Sequence, residues 1–375
     1  MPEAEYETAT EAIWADSQQG FDLGTGPLLR ADVIDRGPNV PRHIILTAHH
    51  LVVDVVSWQT FLGDVETVYA QLGDGATARP TPSGTRFDQW VDALERAARG
   101  ATLSAERAYW YDQVAPTALP EIGEGANTEG DAETLTVRLS PAETQSLTEA
   151  TAAYGMKVHE LLLTALAGTL TAQAGTGGVA IDFESHGRVE IDAALDVTRT
   201  VGWFTTVYPV RLDPGALSDP RTALTRTKEQ LRAVPRQGIG YGILRWLGDA
   251  EDRERLADNA EILFNYMGRA YPDFDDASPL RGPVALRGSH GAAGQRDHRI
   301  EINAIIEADA LVIRWTYSPA LDDPSVIERL AAETQSALQD LVAHCLAPDA
   351  GAYTPSDFPD IDLSQDDLDA LLGDL

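Results

Sequence analysis

The run His49-His50-Leu51-Val52-Val53-Asp54 constrains this chain more than any other stretch of it. It follows an apolar strand pattern, His43 to Ala48, and precedes a helix-period segment. Two adjacent imidazoles and a carboxylate therefore sit at a strand-to-helix junction. Ser57 is placed to cap the helix, whose apolar stripe is Trp58, Phe61, Leu62, Val65, Val68, Tyr69 and Leu72, and Gly73 is placed to end it. Three readings compete for the motif. It is a structural pair with His49 turned into the core, a metal site, or an acyl-handling site. A metal site would want a further His or Cys cluster, and none lies nearby in sequence. In an acyl-handling site, an imidazole held at the end of a rigid element serves as a general base near neutral pH.

Composition narrows the partners. The 375 residues carry 28 basic and 59 acidic side chains, a formal net charge of -31. Such a surface opposes non-specific attraction to nucleic acid or anionic lipid. At 43% hydrophobic residues the chain can bury a large core. The single cysteine, Cys345, offers no disulfide framework, which suits a reducing, cytoplasmic setting. No stretch is long and apolar enough to span a bilayer. The start, Met1-Pro2-Glu3-Ala4-Glu5, is acidic and does not read as a signal peptide.

Along the chain the pattern predicts a helix over about 4–18, strands over 28–34 and 43–48, the capped helix, and helices over about 85–98 and 104–113. Pro116 to Thr134 is rich in Gly, Glu, Pro and Asn and reads as a linker. Beyond it come a strand over 135–139 and the helix start Ser140-Pro141-Ala142-Glu143, with a capping box and Pro at the first helical position. A long apolar helix follows over about 157–174, then strands near 179–184, 207–212 and 261–266 with a helix from Pro220 to Ala233 among them. A hairpin over 299–317 follows a long loop over 270–297, and a helix runs from Pro324 to about Cys345. These elements suggest two mixed α/β lobes, over 1–120 and 134–350, with an acidic tail or linker over 351–375. In that tail Ser364 can cap a short helix whose apolar side is Leu368, Leu371 and Leu372.

Other stretches carry polar groups at strand ends. Asp182-Phe183-Glu184-Ser185-His186-Gly187-Arg188 brings Glu184 out of an apolar strand, either as a solvated loop pair with Arg188 or as a second acid–base group. Arg199 to Val210 packs aromatics, Trp203 among them, around Gly202. Pro235 to Gly242 resembles a phosphate-cradling loop only superficially, since it follows no strand and has no adjacent Lys. Phe264-Asn265-Tyr266-Met267-Gly268 puts an amide and a phenol at the end of a strand, where both could donate hydrogen bonds.

In this order the stretches are specific. HHLVVD with the following SW, ESHGR, RTVGWFTTVYPV, PRQGIGYG, FNYMG and the tail YTPSDFPDIDLSQDDLDALL resemble the epimerization domain of non-ribosomal peptide synthetases, a branch of the condensation-domain superfamily. The resemblance covers residues 20–372. It implies an α/β (α+β) fold of two chloramphenicol-acetyltransferase-like lobes in a V-shaped pseudo-dimer, the first lobe truncated. It also implies a function: epimerization, L to D at Cα, of an aminoacyl or peptidyl thioester. The substrate would ride on the 4'-phosphopantetheine of a partner carrier domain, with neighbouring synthetase modules as further partners. No cofactor or metal bound by this chain itself is implied. His50 matches the family's catalytic histidine and Glu184 its catalytic glutamate, expected to face each other across the cleft. His49, Asp54, Arg188, Asn265 and Tyr266 fall on supporting positions, and Val55, Ser57, Trp203 and Tyr241 on the substrate tunnel. Asn265 and Tyr266 are candidates for stabilising the enolate oxygen, and Glu184 serves better as an acid if desolvation raises its pKa.

The chain also departs from the family. Only 48 residues precede His49, and neither the opening Pro-Ile-Gln segment nor the strand whose arginine pairs with the motif aspartate is visible among them. Val55 stands where the family has Gly. If that position needs positive φ, Val costs on the order of 1–3 kcal/mol, and its branched side chain would crowd the tunnel beside His50. Ser185 and Val189 replace a Gly and a Glu of the glutamate motif. The competing functions are a condensation domain, which needs His50 but not Glu184, and a degenerate domain that only docks a carrier or a neighbouring synthetase component.

Overall fold

The computed structural model describes residues 3–38, 40–114, 119, 123–175, 177–269, 278, 280, 291–358, 360, 361, 364, 365, 367, 368 and 370. The chain divides into two compact units, which do not follow the chain in two simple halves. The first comprises residues 1–90, 193–204 and 271–289, and the second the remainder.

In the first unit, helix α1 (Glu3–Gln19) precedes two antiparallel strands, β1 (Leu29–Ile34) and β2 (His43–Ala48), paired in register from Leu29 opposite Ala48 to Ile34 opposite His43. A short helical turn, His50–Val52, links β2 to α2 (Val55–Gly73). The unit also holds the start of α3 (Phe87–Ala98). Two strands offer little apolar surface, so α2 keeps its stripe half-exposed: Tyr69 and Leu72 face solvent, and only Ser57 of the helix is fully buried.

The second unit is built on one mixed sheet. After α4 (Ala101–Gln113) come β3 (Glu133–Arg138), α5 (Pro141–Ala150), α6 (Val158–Ala174), β4 (Val179–Ser185) and β5 (Thr206–Leu212). Then follow α7 (Pro220–Arg232), α8 (Ile239–Leu247), α9 (Ala250–Arg255), β6 (Ile262–Gly268), β7 (Ile300–Glu307), β8 (Ala310–Tyr317) and α10 (Pro324–Cys345). The six strands run in the order β3-β8-β7-β6-β4-β5, parallel only at β7–β6 and β6–β4. Such parallel pairs need crossover connections, supplied between β4 and β6 by β5 and helices α7 to α9.

One face of this sheet is apolar. Val137, Phe264, Ile302, Ile313 and Trp315 line a narrow gap with Leu162 and Leu166 of α6 and Leu338 of α10. Helix α6 is buried on nearly every side, as its unbroken apolar run requires, with α10 and α7 packed against it. Ser140 forms the expected capping box with Glu143, and Asp323 caps α10. The long loop expected over 270–297 lies largely outside the described residues.

The acidic segment expected as a tail or linker is in part packed into this unit. Thr354 is fully buried, and Asp357 closes a capping box on it. Both Asp357 carboxylate oxygens accept from the Lys228 ammonium at 2.7 Å, and the Lys228 side chain is wholly buried. Ser364 caps as expected, its hydroxyl accepting from the Asp367 amide at 3.2 Å, and Leu368 is buried. Leu371 and Leu372 lie outside the described residues.

Candidate active site

In the first unit, β2 delivers the two histidines to different tasks. The His49 amide donates to Leu28 O at 2.9 Å, while its Nδ1 accepts from the Leu51 amide at 3.2 Å. Its ring meets the Phe21 ring edge-on at 5.8 Å. His49 thus shapes the turn and is not a core residue. His50, one position on, is exposed, with its imidazole edge-on to Trp203 at 5.3 Å between ring centroids. Trp203 is itself 44% exposed, an indole wall beside an accessible base.

Asp54, not Ser57, caps α2. Its Oδ1 accepts the Ser57 amide at 2.7 Å, and Oδ2 accepts the Phe204 amide at 3.1 Å. The carboxylate is buried, and two backbone donors compensate its desolvation. Ser57 is freed for a second tie: its hydroxyl donates to Gly202 O at 2.9 Å and accepts from Gly202 N at 3.0 Å. Asp54 and Ser57 therefore fasten residues 202–204 to the start of α2, which fixes Trp203 against His50. Being fully buried, Ser57 is a structural tie and not a tunnel wall. Gly202 is required by closeness, since a Cβ there would lie 2.4 Å from the Phe87 ring. Val55 is the first residue of α2 and is not among the residues with positive φ, so the expected backbone strain is absent. The position is an ordinary helix start that a β-branched residue tolerates.

In the second unit, Glu184 lies on β4, between Val207 of β5 and Asn265 of β6. Its neighbour Phe183 stacks on the His159 ring of α6 at 5.3 Å, so alternation turns Glu184 to the opposite, polar face of the sheet. Asp182 shares that face. Its Oδ2 lies 2.9 Å from His298 Nε2 and accepts the Ala260 amide at 3.1 Å. Glu301 and Asn303 of β7 alternate with the buried Ile300, Ile302 and Ala304 and so face the same way. Glu184 has no hydrogen-bond or ion-pair partner among the described residues. Its carboxyl keeps a partly accessible surface but is crowded by protein. That burial pushes its pKa up to about 7, with Glu301 adding to the rise and His298 opposing it.

This environment has a stability signature. The folded carboxyl binds its proton more tightly than the unfolded chain does. Its cost is therefore absent below about pH 4.5 and grows to its full value above about pH 7. We expect Glu184→Gln to leave stability nearly unchanged at about pH 4.5 and to raise it by roughly 1–2 kcal/mol at about pH 8, a figure reduced for partial exposure. Urea unfolding of the two forms at both pH values checks this; an equal gain at both would contradict it.

The other expected site residues separate. Asn265 stands beside Glu184 on the polar face. Tyr266 does not: its ring lies 6.3 Å from the His159 ring, on the side of α6, and burial raises its pKa. Arg188 is half-buried just beyond β4, its amide donating to His186 Nδ1 at 3.0 Å. Tyr241 belongs to the core of this unit and not to a tunnel, with its ring 5.6 Å from Trp110 and its hydroxyl accepting from Arg245 at 3.2 Å. The glycines around it are packing devices. A Cβ at Gly238, whose φ is +88°, would fall 2.0 Å from the Tyr208 ring, and one at Gly240 would fall 2.0 Å from the Glu106 carboxylate. Sequence reasoning missed Asp182, His298, Glu301 and Asn303. The polar alternation of Ile300-Glu301-Ile302-Asn303-Ala304 was the available signal for the last two. Among the described residues, no group of three or more His, Cys, Asp or Glu is placed to hold a metal.

The Condensation domain family model matches residues 2–363. The chain belongs to the condensation-domain family. Among curated proteins, chondramide synthase cmdD of Chondromyces crocatus is 38% identical over 100% of this family member. Bacitracin synthase 3 of Bacillus licheniformis is 32% identical over 99% of it. The chain spans only 10% and 6% of the length of those two proteins. Among solved structures, the epimerization domain from the third module of tyrocidine synthetase B superposes with a TM-score of 0.78 at 31% identity, covering 90% of this chain and 77% of that one. The first condensation domain of the CDA synthetase shares the fold at a TM-score of 0.62 and 20% identity, covering 91% of this chain and 73% of that one. The mixed α/β fold is thus that of condensation and epimerization domains.

Proposed function

We propose that this domain epimerizes the α-carbon of an aminoacyl or peptidyl group held as a thioester on a carrier domain's phosphopantetheine arm, within non-ribosomal peptide synthesis. The observation that carries the reading is Glu184: a carboxyl without a protein partner among the described residues, held near neutral proton affinity on a polar sheet face. Amide formation needs the motif histidine but has no use for such a group. Epimerization needs two acid–base groups, one to take the Cα proton and one to return it from the opposite side of a planar enolate. His50, accessible and set against Trp203, supplies the imidazole, and Glu184 supplies the carboxyl. The Asn265 amide, beside Glu184, supplies a donor toward the enolate oxygen. The likeness to a solved epimerization domain supports the same reading.

A carrier domain loaded with an L-aminoacyl group tests it. Release of the amino acid after incubation with this protein should give a mixture of L and D forms. Unchanged L configuration, with amide product formed when a second loaded carrier is added, would favour condensation. Binding of the carrier with neither product would favour a docking domain.

A further inference from the structure

The row that Glu184 opens on the sheet continues beyond Asn265. Asn265 pairs in register with Asn303 of β7, and Asn303 with Arg314 of β8. The residues flanking Asn303, Ile302 and Ala304, are buried on the helix side. Asn303 therefore shares the polar face with Asn265 and Glu184. Neighbouring strands lie about 4.8 Å apart, which sets the two amides side by side and Asn303 roughly 10 Å along the row from Glu184.

Other ionisable groups of this face have protein partners. Glu301 is held by Arg296 at 3.1 Å, Arg314 by Glu307 at 2.9 Å, and Asp182 by His298 at 2.9 Å. The Asn265 and Asn303 side chains, both half-buried, make no hydrogen bond to any described residue. Each carries two donors and an acceptor, open to solvent or to a bound molecule. Two uncommitted amides beside an uncommitted carboxyl form a face that offers both donors and acceptors. A chain of peptide-type groups, with alternating carbonyl oxygens and N–H groups, matches it.

We propose that Asn303 is a substrate-binding residue which, with Asn265, hydrogen-bonds the carbonyl and N–H groups of the acyl substrate presented to Glu184. The proposal rests on the reading of the Glu184 face as the acyl-handling face. Asn303 holds the substrate and moves no proton, so its loss acts on binding while the chemistry of His50 and Glu184 is retained.

The test uses alanyl-aminopantetheine, with an amide in place of the thioester, titrated by NMR into the full chain and into Asn303→Leu. Leucine keeps the volume and removes the hydrogen bonds. The affinity should weaken about fivefold to tenfold, the scale of one lost neutral hydrogen bond, with the melting temperature unchanged. With loaded carrier, KM should rise more than kcat falls, and Asn303→Gln should recover part of the loss. If Asn303→Leu does not fold, Asn303→Ser serves in its place. Equal affinity of wild type and variant, or no binding of the analogue by wild type, overturns the proposal. Wild-type protein that binds the analogue but exchanges no Cα proton sinks the epimerase reading instead, and the affinity difference still decides the role of Asn303.

Discussion

His50→Ala and Glu184→Gln are each expected to slow exchange of the substrate Cα proton with solvent by at least about a hundredfold, the scale of a lost general acid–base group. The two variants should fail in different ways. His50→Ala removes an accessible imidazole whose only ring neighbour among those described is Trp203, so the fold should be untouched. Glu184→Gln keeps the shape of the side chain and removes its titration near neutral pH. Deuterium wash-in on an L-aminoacyl carrier, followed by mass spectrometry, reports the exchange for both. Wild-type exchange rates in Glu184→Gln would shift the assignment toward a one-base mechanism or a condensation enzyme.

Asp357→Ala is expected to lower stability by about 3 kcal/mol, since removing the half-buried Asp357 carboxylate leaves the wholly buried Lys228 charge uncompensated. The Lys228 ammonium is wholly buried and spends its donors on both Asp357 oxygens and on Tyr154 O, each at 2.7 Å. Deleting the carboxylate strands that charge on the buried side of α7, and it also removes the carboxylate that caps the Thr354 amide. The double variant Lys228→Met with Asp357→Leu should recover much of the loss, because an apolar pair of similar volume carries no charge to desolvate. Urea unfolding measures all three forms. A loss below about 1 kcal/mol for Asp357→Ala would mean that the ammonium reaches solvent without its partner.

Local signals carried far in this sequence. The strand over 43–48, the capping box at Ser140 and the helix from Pro324 to Cys345 stand where periodicity and capping chemistry put them. At the start of α2 the local signal failed. Ser57 reads as the cap from the sequence, but Asp54 caps the helix while the Ser57 hydroxyl is tied to Gly202, 145 positions away in the chain. The acidic tail hid a similar long-range contact: its excess of aspartates suggested a solvated segment, while Lys228 in a distant helix takes up Asp357. Tyr241, which the resemblance assigns to a substrate tunnel, lies buried beside Trp110, and the glycines around it allow close packing against Tyr208 and Glu106, a contact between distant segments that the local pattern does not carry. His50, Glu184 and Asn265 were visible as polar residues at strand ends. Their companions Glu301 and Asn303 were not singled out, because the shared face depends on the strand order β8-β7-β6-β4, which is set by pairing between segments far apart in sequence.

The most direct test of acid–base chemistry at Cα is a single incubation in D2O of the wild-type protein with an L-aminoacyl carrier, with no second carrier present. Both enantiomers of the released amino acid are then examined for deuterium. Acid–base exchange by His50 and Glu184 predicts D-amino acid that carries deuterium at Cα, with deuterium entering the recovered L form as the mixture approaches equilibrium. Recovered L-amino acid without deuterium, and no D form, would contradict it.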